Sequence, residues 1–421
     1  MKKRIALTVN TLSGGGAERA VSNLSRALSD RYDVDIVVND KAHIDYPYKG
    51  RILSLHMPAR GDRMGAVYQI CALARRIRAL GRMKRSGKYA AVISFSEMTN
   101  LANVLSGNKD ARSIASVHIA AGRSRESGLK YRLFHAWLLP LTCRRADCTV
   151  SCSREIEDEL IESYGLSREN SAVICNGLDI PHIRKKMSEK FSDPDERRFH
   201  DRKILVSVGR MTQQKGQWHL LRAVKKLRED GIPVLLLLLG DGELRQALQE
   251  EVDRLGLSDC VDMPGFVENP YKYMARADAL VMPSLYEGFS SVLIEAMACG
   301  APVISTDHET GAREILAPDT DYRKKVTDRI EECAYGLLVP VCEGGPDEDR
   351  MSGNGMSESL MNEDRKEISE EEALMAEAIR RILTDDTLAE RYRRASRVRA
   401  GQLSMDAICR QWIDVIEGSK A

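Results

Sequence analysis

The chain has 421 residues, 43% hydrophobic and 30% charged, which excludes wholesale disorder and is too long for one ordinary core, so two large domains are expected. Net charge is +1, yet residues 1–190 carry 32 Lys and Arg against 19 Asp and Glu, a net of +13 that leaves −12 for the remainder; the first half should prefer anionic surfaces. No stretch approaches the roughly 20 apolar residues of a spanning helix, and ten scattered cysteines without a Cys-x-x-Cys pair argue for a reducing, cytoplasmic setting without structural zinc.

The opening MKKRIALTVN starts like a signal peptide, but its apolar run covers only Ile5 to Val9 before polar Asn10 and Thr11, so it reads as a first strand. A glycine turn (Gly14, Gly15, Gly16), an amphipathic helix and the strand DVDIVVN follow. Strands AAVISFS, SIASVHI and CTVSCS come next. Two basic amphipathic stretches lie among them, one before AAVISFS and one between SIASVHI and CTVSCS. In the first, Arg75, Arg76, Arg78, Arg82, Lys84, Arg85 and Lys88 accompany Val67, Ile70, Leu73, Ile77 and Leu80. In the second, Arg123, Arg125, Lys130 and Arg132 precede Phe134, Trp137, Leu138 and Leu139. Such helices suit an anionic membrane surface, or simply pack their apolar face on their own sheet.

The polar run from Ile180 to Arg202 separates this half from a second start with the same outline, KILVSVGRMTQQKGQWHLLRAVKKL and then PVLLLLLGDG. Strands CVDMPGF, ADALVMPS and APVIST follow. Two such starts imply two parallel βαβ domains of the α/β class. The expected boundaries are 1–185, a linker at 186–202, 203–400, and a last helix at 401–421 that packs back towards the first domain. Residues 342–372, acidic and poor in large apolar side chains, read as a mobile loop.

The stretch from Ala277 to Thr306 is the most informative. A buried strand ends at Pro283, and a helix starts near Ser290 or Ser291, both good N-cap types, and stops at Gly300 and Pro302. Its first N–H groups point to where phosphates bind in doubly wound sheets. Glu287 lies in the turn and Glu295 on the helix. Arg210 and Lys215, just after the first strand of the second half, form a candidate diphosphate clamp. The glycine run lets backbone approach a ligand closely.

The set GGGAER, SVGRMTQQKG, GDG, GF, EGFSSVLIEAMACGAPVIST and YGLLVP resembles the retaining glycosyltransferases of family 4, nearly throughout and most strongly from Val206 to Pro340. The resemblance implies a GT-B fold, two Rossmann-like domains facing across a cleft. It further implies transfer of a hexose or N-acetylhexosamine from a nucleotide diphosphate sugar, a UDP-sugar above all, to a glycan or lipid-linked acceptor. By the same resemblance Arg210 and Lys215 neutralise the leaving diphosphate, Glu295 takes the ribose hydroxyls and Glu287 faces the sugar. Gly288, Phe289, Ser290 and Ser291 supply backbone N–H groups, and the backbone near Phe266 meets the base. His118 matches the family's histidine near the reacting sugar, and Gly15 and Gly16 line the cleft.

The expected partners are therefore the donor, the acceptor and an anionic membrane on its inner face, with no nucleic acid and no metal or other cofactor. Each residue has a plainer role to compete with: Glu295 a helix surface, Arg210 and Lys215 solvated cations, His118 a structural histidine, the glycines a tight turn. The pairs Asp33–Asp35 and Asp319–Asp321 resemble a metal-binding Asp-x-Asp, but read as a strand start and a loop. A dinucleotide oxidoreductase would need a third glycine that GGGAER lacks. A glycosidase would use two carboxylates directly. A GT-B epimerase and a non-catalytic nucleotide-sugar module are the closest alternatives.

Overall fold

The structure is a computed structural model. It describes residues 2–13, 15–42, 44–57, 66–107, 110–118, 134–191, 196, 199, 201–343 and 368–418, the side chains of 66–69 and 134–135 excepted. The chain forms two compact units, Met1–Asp179 with Leu403–Ala421, and Ile180–Gln402.

In the first unit β1 (Arg4–Thr8), β2 (Asp33–Val38), β3 (Arg51–Ser54), β4 (Tyr89–Ser94), β5 (Arg112–Val117), β6 (Cys148–Ser151) and β7 (Ser171–Val173) form a parallel sheet in the order β3-β2-β1-β4-β5-β6-β7. Its central strands are near-continuous apolar runs, as burial on both faces requires. One face packs on Val21, Leu24 and Leu28 of the Gly16–Leu28 helix and on Ile408, Trp412, Val415 and Ile416 of the Met405–Glu417 helix. The last helix thus belongs to the first unit, where Glu417 also accepts hydrogen bonds from Arg31 at 2.7 Å and Tyr32 at 3.0 Å. The other face is covered by the Ala66–Arg85 helix, whose Leu73, Ile77 and Leu80 pack against Ala6, Val37 and Val92.

The second unit repeats the plan with β8 (Lys203–Val208), β9 (Val234–Leu239), β10 (Val261–Gly265), β11 (Ala279–Met282), β12 (Val303–Thr306), β13 (Glu331–Glu332) and β14 (Leu337–Val339). The order is β10-β9-β8-β11-β12-β14-β13, with only β13 antiparallel. The Gln217–Glu229 and Glu370–Thr384 helices fill one face through Leu220, Leu221, Val224, Met375, Ile379 and Ile382. Both units are Rossmann-like. In each, the chain reverses direction across the sheet between its first and fourth strands, so a crevice opens at the carboxyl ends of β1 and β4, and of β8 and β11.

Three expectations need correction. The first break falls between Asp179 and Ile180, not after 185, and the second unit runs on to Gln402. The polar run expected to separate the halves opens as a folded segment: Ile180–Met187 is a helix anchored by buried Ile183, Asn269 donates to the Lys186 carbonyl at 2.8 Å, and Phe191 packs edge-on against Phe199 and Tyr273, while residues 192–195, 197, 198 and 200 lie outside the described residues. Its charges sit on the outer face of a helix whose few apolar residues suffice to hold it. The ends of the 342–372 loop are also built in. Cys342 is in the core, and Ser369 and Glu372 form a capping box that starts the next helix, with the Glu372 carboxylate fully buried against His219 at 2.7 Å. Residues 344–367 lie outside the described residues. Among the described residues no helix is long and apolar enough to cross a membrane.

Candidate active site

The carboxyl ends of β8 and β11 carry the second unit's candidate residues. After β8 the chain passes Arg210, makes a short turn at Gln213–Lys215 and enters the Gln217–Glu229 helix through Gly216 at φ +60°. A Cβ at Gly216 would stand 2.4 Å from the Pro283 carbonyl oxygen, so only glycine lets this turn lie against the end of β11. There Leu285 N–H donates to the Gln214 carbonyl at 2.9 Å.

This close approach brings Lys215 onto Glu287. The ammonium ion pairs with the carboxylate, which also accepts from Ser284 Oγ at 2.9 Å and from Gln214 Nε2 at 3.1 Å. Gln214 Nε2 also donates to the Tyr286 carbonyl at 2.9 Å. The two charged side chains are 17% and 9% exposed, so this is a largely desolvated pair fixed by three donors rather than a solvated surface contact. Arg210 differs: it is exposed, and among the described residues its guanidinium makes no hydrogen bond or ion pair. An anion brought to the strand ends would meet an uncommitted guanidinium first and a committed ammonium second.

Beyond Glu287 the turn runs through half-buried Gly288 and buried Phe289 and Ser290 into the Ser291–Cys299 helix. Gly300 ends that helix at φ +83°. Glu295 is only 5% exposed, which removes the helix-surface reading for it. The turn is also held from the far side. Thr306 Oγ1 donates to the Ser284 carbonyl at 2.5 Å, Thr310 Oγ1 to the Glu287 carbonyl, and Tyr286 bridges Glu309. Phe266 follows Gly265 at the end of β10 and is 82% exposed, a free ring face at the sheet edge. Gln214, Ser284, Thr306, His308 and Thr310 all touch this turn and were missed from sequence. Gln214, Ser284 and Thr306 stood in stretches the motifs had marked without being singled out; His308 and Thr310 lie just beyond them and are polar types with no periodicity.

In the first unit Gly15 is the N-cap residue of the Gly16–Leu28 helix, and a Cβ on it would meet the Glu18 carboxylate at 2.1 Å. Among the described residues nothing lies within 4 Å of a Cβ on Gly16. Gly14 lies outside the described residues. His118 follows β5. Its ring stacks on Phe95 at 5.8 Å and its Nε2 is 3.0 Å from Ser116 Oγ, while desolvation pushes the imidazole down to about 4. It is therefore a neutral imidazole at pH 7, able to donate or accept one hydrogen bond per nitrogen. Phe95 in turn packs on Trp412 at 5.9 Å, so the last helix backs this histidine.

Asp33 opens β2, as its strand-start reading has it, whereas the reading of the basic helix's cations as uniformly solvated is revised. Asp35 is buried, taking Arg51 Nε and Nη2 at 3.0 and 2.9 Å and the Tyr89 hydroxyl at 2.5 Å, and so is committed within its own sheet. In the basic helix, Arg76 and Lys84 are not solvated. Arg76 is 4% exposed and binds Asn10 and Asn39 at the ends of β1 and β2, and Lys84 is 2% exposed and donates to the Asn103 carbonyl at 2.7 Å. Arg123, Arg125, Lys130, Arg132 and the side chain of Phe134 lie outside the described residues, as does that of Val67.

Residues 14–181 match the family model for glycosyltransferase family 4 and residues 188–328 that for glycosyl transferases group 1. An uncharacterized glycosyltransferase of Methanocaldococcus jannaschii is 30% identical over 294 residues, 69% of this chain and 66% of its own length. The N-acetylgalactosamine-N,N'-diacetylbacillosaminyl-diphospho-undecaprenol 4-alpha-N-acetylgalactosaminyltransferase of Campylobacter jejuni is 25% identical over 418 residues, 99% of this chain and 100% of its own. Anabaena HepE, solved in complex with UDP and glucose, matches 99% of this chain and 100% of its own with a TM-score of 0.70 at 18% identity. Family models that run through both units, together with a fold likeness over nearly the whole length, make this chain a member of glycosyltransferase family 4, of GT-B fold.

Proposed function

We propose that this glycosyltransferase moves a hexose or N-acetylhexosamine from a UDP-sugar to a glycan or lipid-linked glycan, with retention at the anomeric carbon and without a metal ion. The observation that carries this is the Lys215–Glu287 pair beside the uncommitted Arg210, at the point where β8 and β11 part. Arg210 and Lys215 take up the charge that grows on the diphosphate as the sugar–oxygen bond breaks, work that a divalent cation does elsewhere. Glu287, fixed by Lys215, Ser284 and Gln214, presents a carboxylate to a sugar hydroxyl. Glu295 takes the ribose, and the exposed Phe266 ring and its backbone meet the base. In retention the acceptor hydroxyl adds to the anomeric carbon on the face the diphosphate leaves, and the departing phosphate oxygen takes its proton. His118 and the glycine turn act near the reacting sugar. The UDP in HepE and the undecaprenol-linked acceptor in the name of the Campylobacter enzyme support the choice of substrates.

The test is transfer from a panel of UDP-sugars to undecaprenyl-diphosphate-linked acceptors, with the product's anomeric configuration read by NMR. The α-linked product from an α-donor is expected, with full activity in EDTA. A β-linkage would refute retention, and loss of activity in EDTA with rescue by Mg²⁺ or Mn²⁺ would refute metal independence.

We further infer that the first unit works on an anionic inner membrane face. With the apolar side of the Ala66–Arg85 helix used on its own sheet, the support is the exposed stripe of Arg75, Arg78, Arg82 and Arg85, recurring every three or four residues, with exposed Ile70 and Trp137. Each such charge contributes on the order of 1 kcal/mol at an anionic surface, screened by salt. Co-sedimentation with phosphatidylglycerol vesicles should fall as salt rises, and should fall in the triple variant Arg75→Glu, Arg78→Glu, Arg82→Glu. Equal recovery in the supernatant with anionic and neutral vesicles at low salt would refute docking.

A further inference from the structure

The helix Ser291–Cys299 begins with a residue that does not do what its type ordinarily does. Serine at an N-cap normally turns its hydroxyl onto the N–H two or three residues ahead. Ser290 makes no such bond; its Oγ lies 3.3 Å from Nε2 of His308, a residue with no exposed surface just beyond the end of β12. The other ring nitrogen fixes the direction of this contact. Nδ1 is 2.9 Å from the Glu309 carbonyl oxygen, which only accepts, so Nδ1 carries the proton and Nε2 of the neutral ring accepts from the Ser290 hydroxyl. Burial holds the imidazole below its ordinary value against the pull of Glu287, with Lys325 and Lys215 adding to the lowering, so the neutral ring is the working form.

We propose that His308 is a positioning residue for the donor: by holding the Ser290 hydroxyl, it keeps Ser290 from capping its own helix and leaves the helix start to the diphosphate. This rests on the reading that a nucleotide diphosphate lies at that helix start. A capped terminus would be more stable and a poorer anion site, because an incoming phosphate would have to displace the serine hydroxyl from the N–H groups it needs. His308 thus trades local helix stability for an open site.

The experiment is a titration of UDP into the full chain by calorimetry, for wild type, His308→Leu, His308→Gln, Ser290→Ala and the double variant His308→Leu/Ser290→Ala. Leucine fills the space without an acceptor and frees the serine to cap; UDP affinity should drop about five- to thirtyfold, the equivalent of a cap of about 1–2 kcal/mol. Glutamine places an amide oxygen near the Nε2 position and should retain affinity. The distinguishing result is the double variant. Removing the serine hydroxyl from His308→Leu should restore affinity to that of Ser290→Ala alone, which loss of packing could not produce. A double variant as weak as His308→Leu, or a His308→Leu that binds UDP normally, would overturn the proposal. A wild type that binds no UDP would overturn the donor reading beneath it, a distinct failure. Should His308→Leu not fold, His308→Gln decides with Ser290→Ala: a Gln variant that loses affinity whether or not Ser290 is present overturns the proposal.

Discussion

Replacing Lys84 by methionine should change how stability depends on pH. The ammonium is 2% exposed, with Asn103 O at 2.7 Å and Ser113 Oγ at 2.5 Å. Burial lowers its pKa from the ordinary 10.5 to about 8, partly opposed by Asp147. Because the folded value lies below the unfolded one, folding disfavours the charged form. The cost is full below about pH 8 and fades as pH rises towards about 10.5. At 1.36 kcal/mol per unit this is about 3 kcal/mol at pH 7 and about 1.4 kcal/mol at pH 9.5. Wild type should therefore gain about 2 kcal/mol on Lys84→Met between those values. Buried thiols and tyrosines titrate in the same range, but they are common to both proteins and cancel in the difference. The two hydrogen bonds lost with the lysine shift the gap by a pH-independent amount. Urea unfolding of both proteins at pH 7 and pH 9.5, followed by tryptophan fluorescence, measures the change. A gap that stays constant across this range would refute the buried-ammonium argument. The same burial explains why charge reversal at Lys84 is unsuited to testing membrane docking: it would place a carboxylate inside the sheet's helical layer.

Arg210→Ala should lower kcat about 10²-fold or more with the fold intact, since the exposed guanidinium has no structural partner among the described residues; a raised KM with unchanged kcat would make it only an anchor. Glu287→Gln should abolish most transfer while UDP binds as tightly or more tightly, because Lys215 is released to the diphosphate, a split that initial rates and calorimetry together resolve. Glu295→Ala should weaken UDP binding at least tenfold and also lower the melting temperature, because the carboxylate is buried; normal binding would sink the ribose assignment. Trp412→Ala should cost about 3–5 kcal/mol of stability and reduce turnover through Phe95 and His118 while leaving UDP affinity unchanged, the residues proposed to bind the nucleotide being in the other unit.

The amino-acid sequence by itself determined the two sheets. Runs such as VLLLLL in β9 and ALVM in β11 are apolar on both faces, which only a sheet covered on both sides tolerates, and the glycine turns after β1 and β8 mark where strand gives way to helix. It also marked the residues proposed for the donor site, because Arg210, Lys215, Glu287 and Glu295 sit in local motifs whose strand-turn-helix geometry is short range. Tertiary structure alone decided what those groups touch. Lys215 and Glu287 are 72 residues apart and become a pair only because β8 and β11 are neighbours and Gly216 permits contact. It likewise separated Arg76 and Lys84, which turn inward, from Arg75, Arg78, Arg82 and Arg85, which do not. A basic helix looks uniform along the chain; which of its cations are desolvated depends on the angle at which it lies on the sheet, and on whether a carbonyl or amide from another strand end is there to receive them.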